Sequence, residues 1–87
     1  MSTIERIDQL IEIAQNLGYR VRYDYFGGTG GGVCEFSGQK WLFIDLALTS
    51  TDQLEQIRSA VKNEPLIHSL PLPRQLLDEL QLTPRAA

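Results

Sequence analysis

Eighty-seven residues, 43% of them apolar, are enough for one domain (residues 1–87) with a single modest core. Eight basic residues against eleven acidic ones leave a net charge of −3, which argues against an electrostatic grip on nucleic acid. A lone cysteine excludes an internal disulfide. With a polar N-terminal stretch, no signal-like segment and no apolar run near the ~20 residues of a membrane span, it suggests a soluble, cytoplasmic chain with no membrane partner.

The first predicted element is a helix over 3–17. Ile4, Ile7, Leu10, Ile11, Ala14 and Leu17 recur at helical spacing, Ser2 and Glu5 have capping-box spacing, and Gly18 supplies the left-handed stop. Residues 20–26 change to period two: Val21, Tyr23 and Tyr25 alternate with Arg20, Arg22 and Asp24, as in a half-buried strand. Five of the seven glycines then crowd into Gly27–Gly32. Val33 to Ser37 reads as a second strand, with Cys34 and Phe36 on one face. Ser37-Gly38-Gln39 marks a tight turn, and Lys40 to Leu46 a third strand. Apolar bulk on both faces of that strand makes it central or covered on both sides. A second capping box, Ser50 with Gln53, opens a helix bearing Leu54, Ile57, Ala60 and Val61, which Pro65 stops. An extended stretch from Leu66 to Leu72 leads into a short helix that Pro73 begins and that runs to Leu80.

Both strand connections have hairpin lengths, too short for a helical crossover, which predicts an antiparallel three-stranded meander. The expected fold is α+β in two layers: helix, meander, helix, short C-terminal helix.

The glycine stretch is the first place to look for a site. Ordered glycine loses the most conformational entropy on folding, so five together form either a loose hairpin tip or a backbone shaped for close approach. Gly28, Gly30, Gly31 and Gly32 are candidate ligand-binding positions through their backbone N–H groups. Neither GxGxxG nor GxxxxGK[ST] occurs there, and the stretch opens a strand rather than a helix, so the nucleotide-loop mechanism is missing. Arg20 and Arg22 are candidate clamps for a carboxylate or phosphate, against the default of a solvated face. Trp41, Phe43, Tyr23 and Tyr25 offer rings for base stacking, although core packing is the expected use.

Cys34 is a candidate nucleophile, with His68 as base and Asp45 to orient it; burial beside Phe36 is the commoner fate of a free cysteine. One cysteine and one histidine cannot close a zinc site, so neither a metal nor a cofactor is expected. The seven leucines between Leu66 and Leu82 exceed what a tail needs to cap a core, and suggest either a sheet cover or a contact surface.

Asp24, Glu35 and Asp45 fall on three successive strands, an order loosely similar to the core of restriction-endonuclease-like nucleases. That resemblance implies magnesium held by carboxylates. Here Ser37 stands where the Glu-x-Lys lysine would be, Lys40 lies beyond the turn, and no strand follows the second helix. The run Gly31-Gly32-Val33-Cys34, then Gly38 and Asp45, resembles a GGxCxxxGxxxxxxD pattern of small uncharacterised bacterial proteins, which brings no known activity with it.

The residues together predict a non-enzymatic interaction or regulatory module. It would self-associate as a homodimer or bind a protein partner through the glycine hairpin and the leucine-rich tail. The alternative is a small enzyme or ligand-binding protein with its site at Gly27–Cys34, drawing on Cys34, Glu35, Asp45 and His68.

Overall fold

The computed structural model describes residues 2–28 and 31–81 of the chain; the expectations placed on Gly30 and Leu82 fall outside them. It is an α+β fold with three α-helices and a three-stranded mixed sheet. Helix α1 spans Thr3–Asn16, and the Ser2 hydroxyl accepts the Glu5 N–H at 3.2 Å. Gly18 at φ +95° ends it, a conformation that glycine adopts without a Cβ penalty. Strand β1 covers Tyr19–Asp24, β2 Gly32–Phe36 and β3 Gln39–Asp45. Ser37 and Gly38, both at positive φ, make the two-residue turn between β2 and β3.

Helix α2 spans Ser50–Lys62 and is capped one residue earlier than expected, by Thr49, whose hydroxyl accepts the Asp52 N–H at 3.2 Å. The stretch after it is not wholly extended. Pro65–Ser69 form a 3₁₀ turn before α3, Arg74–Glu79, which Pro73 caps.

The predicted antiparallel meander is corrected. Strand order is β1-β3-β2: β3 pairs with β1 in parallel, Tyr19 opposite Lys40 through Asp24 opposite Asp45, and with β2 antiparallel, Gly32 opposite Phe43 through Phe36 opposite Gln39. The glycine segment is therefore no hairpin tip. It carries the chain across the end of β3 to the far edge of the sheet, about 10 Å away at two strand spacings, well within the reach of seven residues. β2 then takes the place of a crossover helix. A short connection limits the distance spanned, but it does not make the two strands neighbours.

One face of the sheet is buried. Tyr19, Leu42 and Ile44 pack against Leu10, Ile11 and Ala14 of α1 and Leu54, Ile57 and Val61 of α2. Ile4 of the predicted stripe is exposed, and Ile13 is buried in its stead. The C-terminal segment closes the same core through Ile67 and Leu80, with Leu70, Leu72 and Leu76 against its rim. The Arg6 guanidinium holds both oxygens of Glu79, at 2.6 and 2.7 Å, and so ties α3 to α1. The leucine-rich tail is thus mostly core cover, with Leu66 left exposed. Among the described residues no helix is long and apolar enough to cross a membrane.

Candidate functional site

The alternation of β1 and β3 puts Tyr19, Val21, Leu42 and Ile44 toward the helices and leaves Arg20, Arg22, Trp41 and Phe43 on the other side. No described element covers that second face. Its rows run across the sheet: Arg20, Trp41 and Cys34 in one, Arg22, Phe43 and Gly32 in the next. The rings of Trp41 and Phe43 stack at 5.9 Å, and Phe26 meets Phe43 edge-on at 5.8 Å. The Arg20 guanidinium sits 5.8 Å from the Trp41 ring centre. Phe36 is 69% exposed. A shallow depression of about 220 Å³ lies between Arg22, Cys34, Phe36, Trp41 and Phe43. Gly32, with no side chain opposite Phe43, leaves room for another of about 250 Å³ beside Phe26. The expectation that Cys34, Phe36, Tyr23 and Tyr25 serve the core is corrected: all four are exposed. Cys34 and Phe36 stand on the outer face of edge strand β2, Tyr23 on edge strand β1, and Tyr25 beyond its end, where no described element covers them.

Asp45 organises the glycine segment. Its carboxylate is fully buried and accepts backbone N–H groups from Phe26 at 3.0 Å, Gly28 at 2.8 Å and Ala47 at 2.9 Å. It is therefore a structural anchor, spent on the chain's own backbone. Gly31, at φ +102°, could carry no side chain: a Cβ there would lie 2.7 Å from the Phe43 carbonyl oxygen and 2.6 Å from the Gln56 amide. Gly27 and Gly28 also have positive φ but open space around them. The loop is shaped by a carboxylate below it and by α2 packed against its end.

The catalytic candidates do not assemble. The Cys34 thiol is exposed and lies 3.9 Å from the Glu35 carbonyl oxygen. His68 is on the 3₁₀ turn beneath α2, not on the sheet. Glu35 pairs with Lys40 and shares its face on the helix side, whereas Asp24 and Asp45 lie about 16 Å further along the sheet on the other face. Among the described residues no group of three or more His, Cys, Asp or Glu is placed to hold a metal.

A polar cluster on the helix side was not foreseen. Glu64, 6% exposed, accepts the Lys40 ammonium at 2.7 Å and the Tyr19 hydroxyl at 3.0 Å. The Lys40 hydrogen bond holds the Glu64 carboxyl below the usual range, outweighing burial, and Glu64 in turn raises Lys40. Burial first, then Glu64, pushes the Tyr19 phenol up. Tyr19 and Lys40 are register partners on β1 and β3, but that pairing follows from the parallel ladder, which the loop lengths concealed.

Comparison of the chain with protein-family models, with curated proteins and with solved structures gave no match in any of the three.

Proposed function

We propose that this protein is a non-enzymatic interaction module that self-associates by packing the open faces of two sheets together about a two-fold axis. The observation that carries it is the stacked Trp41–Phe43 pair, flanked by Phe26, Phe36 and Cys34, on a face that no described element covers. Contiguous apolar surface of this kind marks contact sites in monomer-sized domains. The molecule measures 43 × 33 × 16 Å; its thin dimension is that of one helix layer on one sheet. A second sheet at the usual ~10 Å spacing would give the aromatic rings an interior.

The charges on this face suit a second copy. Arg22 and Asp24 lie two residues apart on edge strand β1, with 3.5 Å between them. In an isologous contact each arginine meets the partner's aspartate, and the arrangement repeats across the axis. The face measures about 14 by 23 Å from strand spacing and rise, so the contact is small and the association weak.

Sedimentation equilibrium from about 1 μM to 1 mM tests this, with a dimer expected to grow in across that range. Phe36→Ser and Arg22→Asp should each shift the equilibrium toward monomer, and exchanging the two charges in Arg22→Asp/Asp24→Arg should restore it. Thiol labelling of Cys34 should be fast in the monomer and slow as the dimer fills. A monomer at the highest concentration, or labelling that ignores concentration, refutes the reading.

A further inference from the structure

The third strand of the sheet outruns its helical cover. α1 packs on β1 and α2 on β3 and β2, yet Val33 and Glu35 on the helix side of β2 stay exposed. The result is a cleft of about 550 Å³ on the helix side, between α2 and the strands β2 and β3. That volume suits a small molecule. Its make-up is not that of an unfilled core. The stripe of α2 that faces it, Gln56, Ser59 and Asn63, is polar, at positions where a helix facing a sheet normally carries apolar side chains. Val33, Ala60 and Tyr19 supply its apolar surface. At one end the Gln56 amide and the Phe43 carbonyl both crowd Gly31, which admits no Cβ. The other end is floored by the Tyr19–Glu64–Lys40 cluster, whose bonds hold every member in place.

The charge at the cleft is unbalanced. Lys40 serves Glu64 directly and stands opposite Glu35 in the ladder, so one ammonium faces two carboxylates. Glu64 is already bonded by Lys40 and Tyr19, which leaves Glu35, exposed on β2 at the cleft mouth, as the surplus anion. The opposite wall is polar: the Asn63 amide donates to the Ser59 hydroxyl at 3.5 Å, and that hydroxyl keeps the capacity to donate in turn. We infer that the cleft between α2 and β2 binds a small cationic amine, with its ammonium group at Glu35 and its body along Gln56, Ser59 and Asn63. The inference is independent of self-association, because the cleft and the proposed dimer contact lie on opposite faces of the sheet.

Three linear probes of similar length and different charge test it: 1,4-diaminobutane, 1,4-butanediol and succinate, titrated into the ¹⁵N-labelled protein at constant ionic strength. The diamine should move the amide signals of Glu35, Lys40, Ser59 and Asn63 saturably, the diol only weakly, and succinate not at all. Glu35→Gln should weaken the diamine about fivefold, the scale of one partly exposed ion pair. Ser59→Trp, an exposed position on α2, should fill the cleft and abolish the shifts while thermal unfolding confirms the fold. Non-saturating diamine shifts, a response to succinate equal to the diamine's, or an undiminished affinity in Glu35→Gln overturns the inference. Loss of dimerisation with these shifts intact would sink only the self-association reading.

Discussion

The buried carboxylate of Asp45 holds two chain segments together: the start of the glycine segment and the turn after β3. Asp45→Asn tests this without changing shape. Whichever way the new amide is turned, its NH₂ group must face a backbone N–H that now donates, either that of Gly28 on one oxygen or those of Phe26 and Ala47 on the other. The least damaging orientation keeps Oδ1 on Phe26 and Ala47 and gives up Gly28. One charge-assisted bond at 2.8 Å is then lost and a donor is left facing a donor, about 2–3 kcal/mol. Asp45→Ala gives up all three and opens a hole, about 4 kcal/mol. In a domain of this size each kcal/mol lowers Tm by roughly 4–8 °C, so the asparagine variant should melt about 10–20 °C lower. Urea unfolding followed through Trp41 fluorescence, with the m-value held against wild type, gives the free energies directly. An asparagine variant within about 0.5 kcal/mol of wild type, or an alanine variant no worse than asparagine, would refute the anchoring role.

Two further outcomes follow from the same structure. Glu64 has its carboxyl lowered in the folded state, so its contribution to stability is complete above the unfolded value of about 4.3 and is lost as pH falls through the lower folded value. Lys40 and Tyr19 are raised, so theirs is complete below about 10 and lost as pH rises beyond it. Stability measured by urea titration should therefore fall at both extremes, and Glu64→Gln should flatten the acid limb; an unchanged limb would show that other carboxylates set it. Gly31→Ala must push a Cβ into the Phe43 carbonyl oxygen at positive φ, and should cost about 3 kcal/mol or more, whereas Gly28→Ala meets only the backbone penalty of about 1–2 kcal/mol. Equal losses in urea unfolding would mean that α2 does not press on the loop.

The local rules of helix and turn were written plainly in the chain, and the pairing of strands was not. Ser2, Gly18, Gly38 and Pro73 each act within a few residues, and each stands where its chemistry requires. Strand order depends on which edge β2 joins. Seven residues reach the neighbouring strand position or the one beyond it with equal ease, so connection length could not distinguish the meander from the mixed sheet. That single ambiguity decides most of what was misread about the site. With β1 beside β3, Tyr19 faces Lys40 and both reach Glu64; in a meander β2 would separate them. With β2 at the edge, Cys34 and Phe36 emerge on an uncovered face instead of entering the core. Asp45 illustrates the same limit in one residue. It shares its strand face with Trp41 and Phe43, the face opposite the helices, yet it is fully buried, because the glycine segment has to cross the end of β3 and needs an acceptor beneath it. The glycines, then, are there to fit a crossing over a strand, and the surfaces that the crossing creates, an open aromatic face on one side and a half-covered cleft on the other, are where binding should be sought.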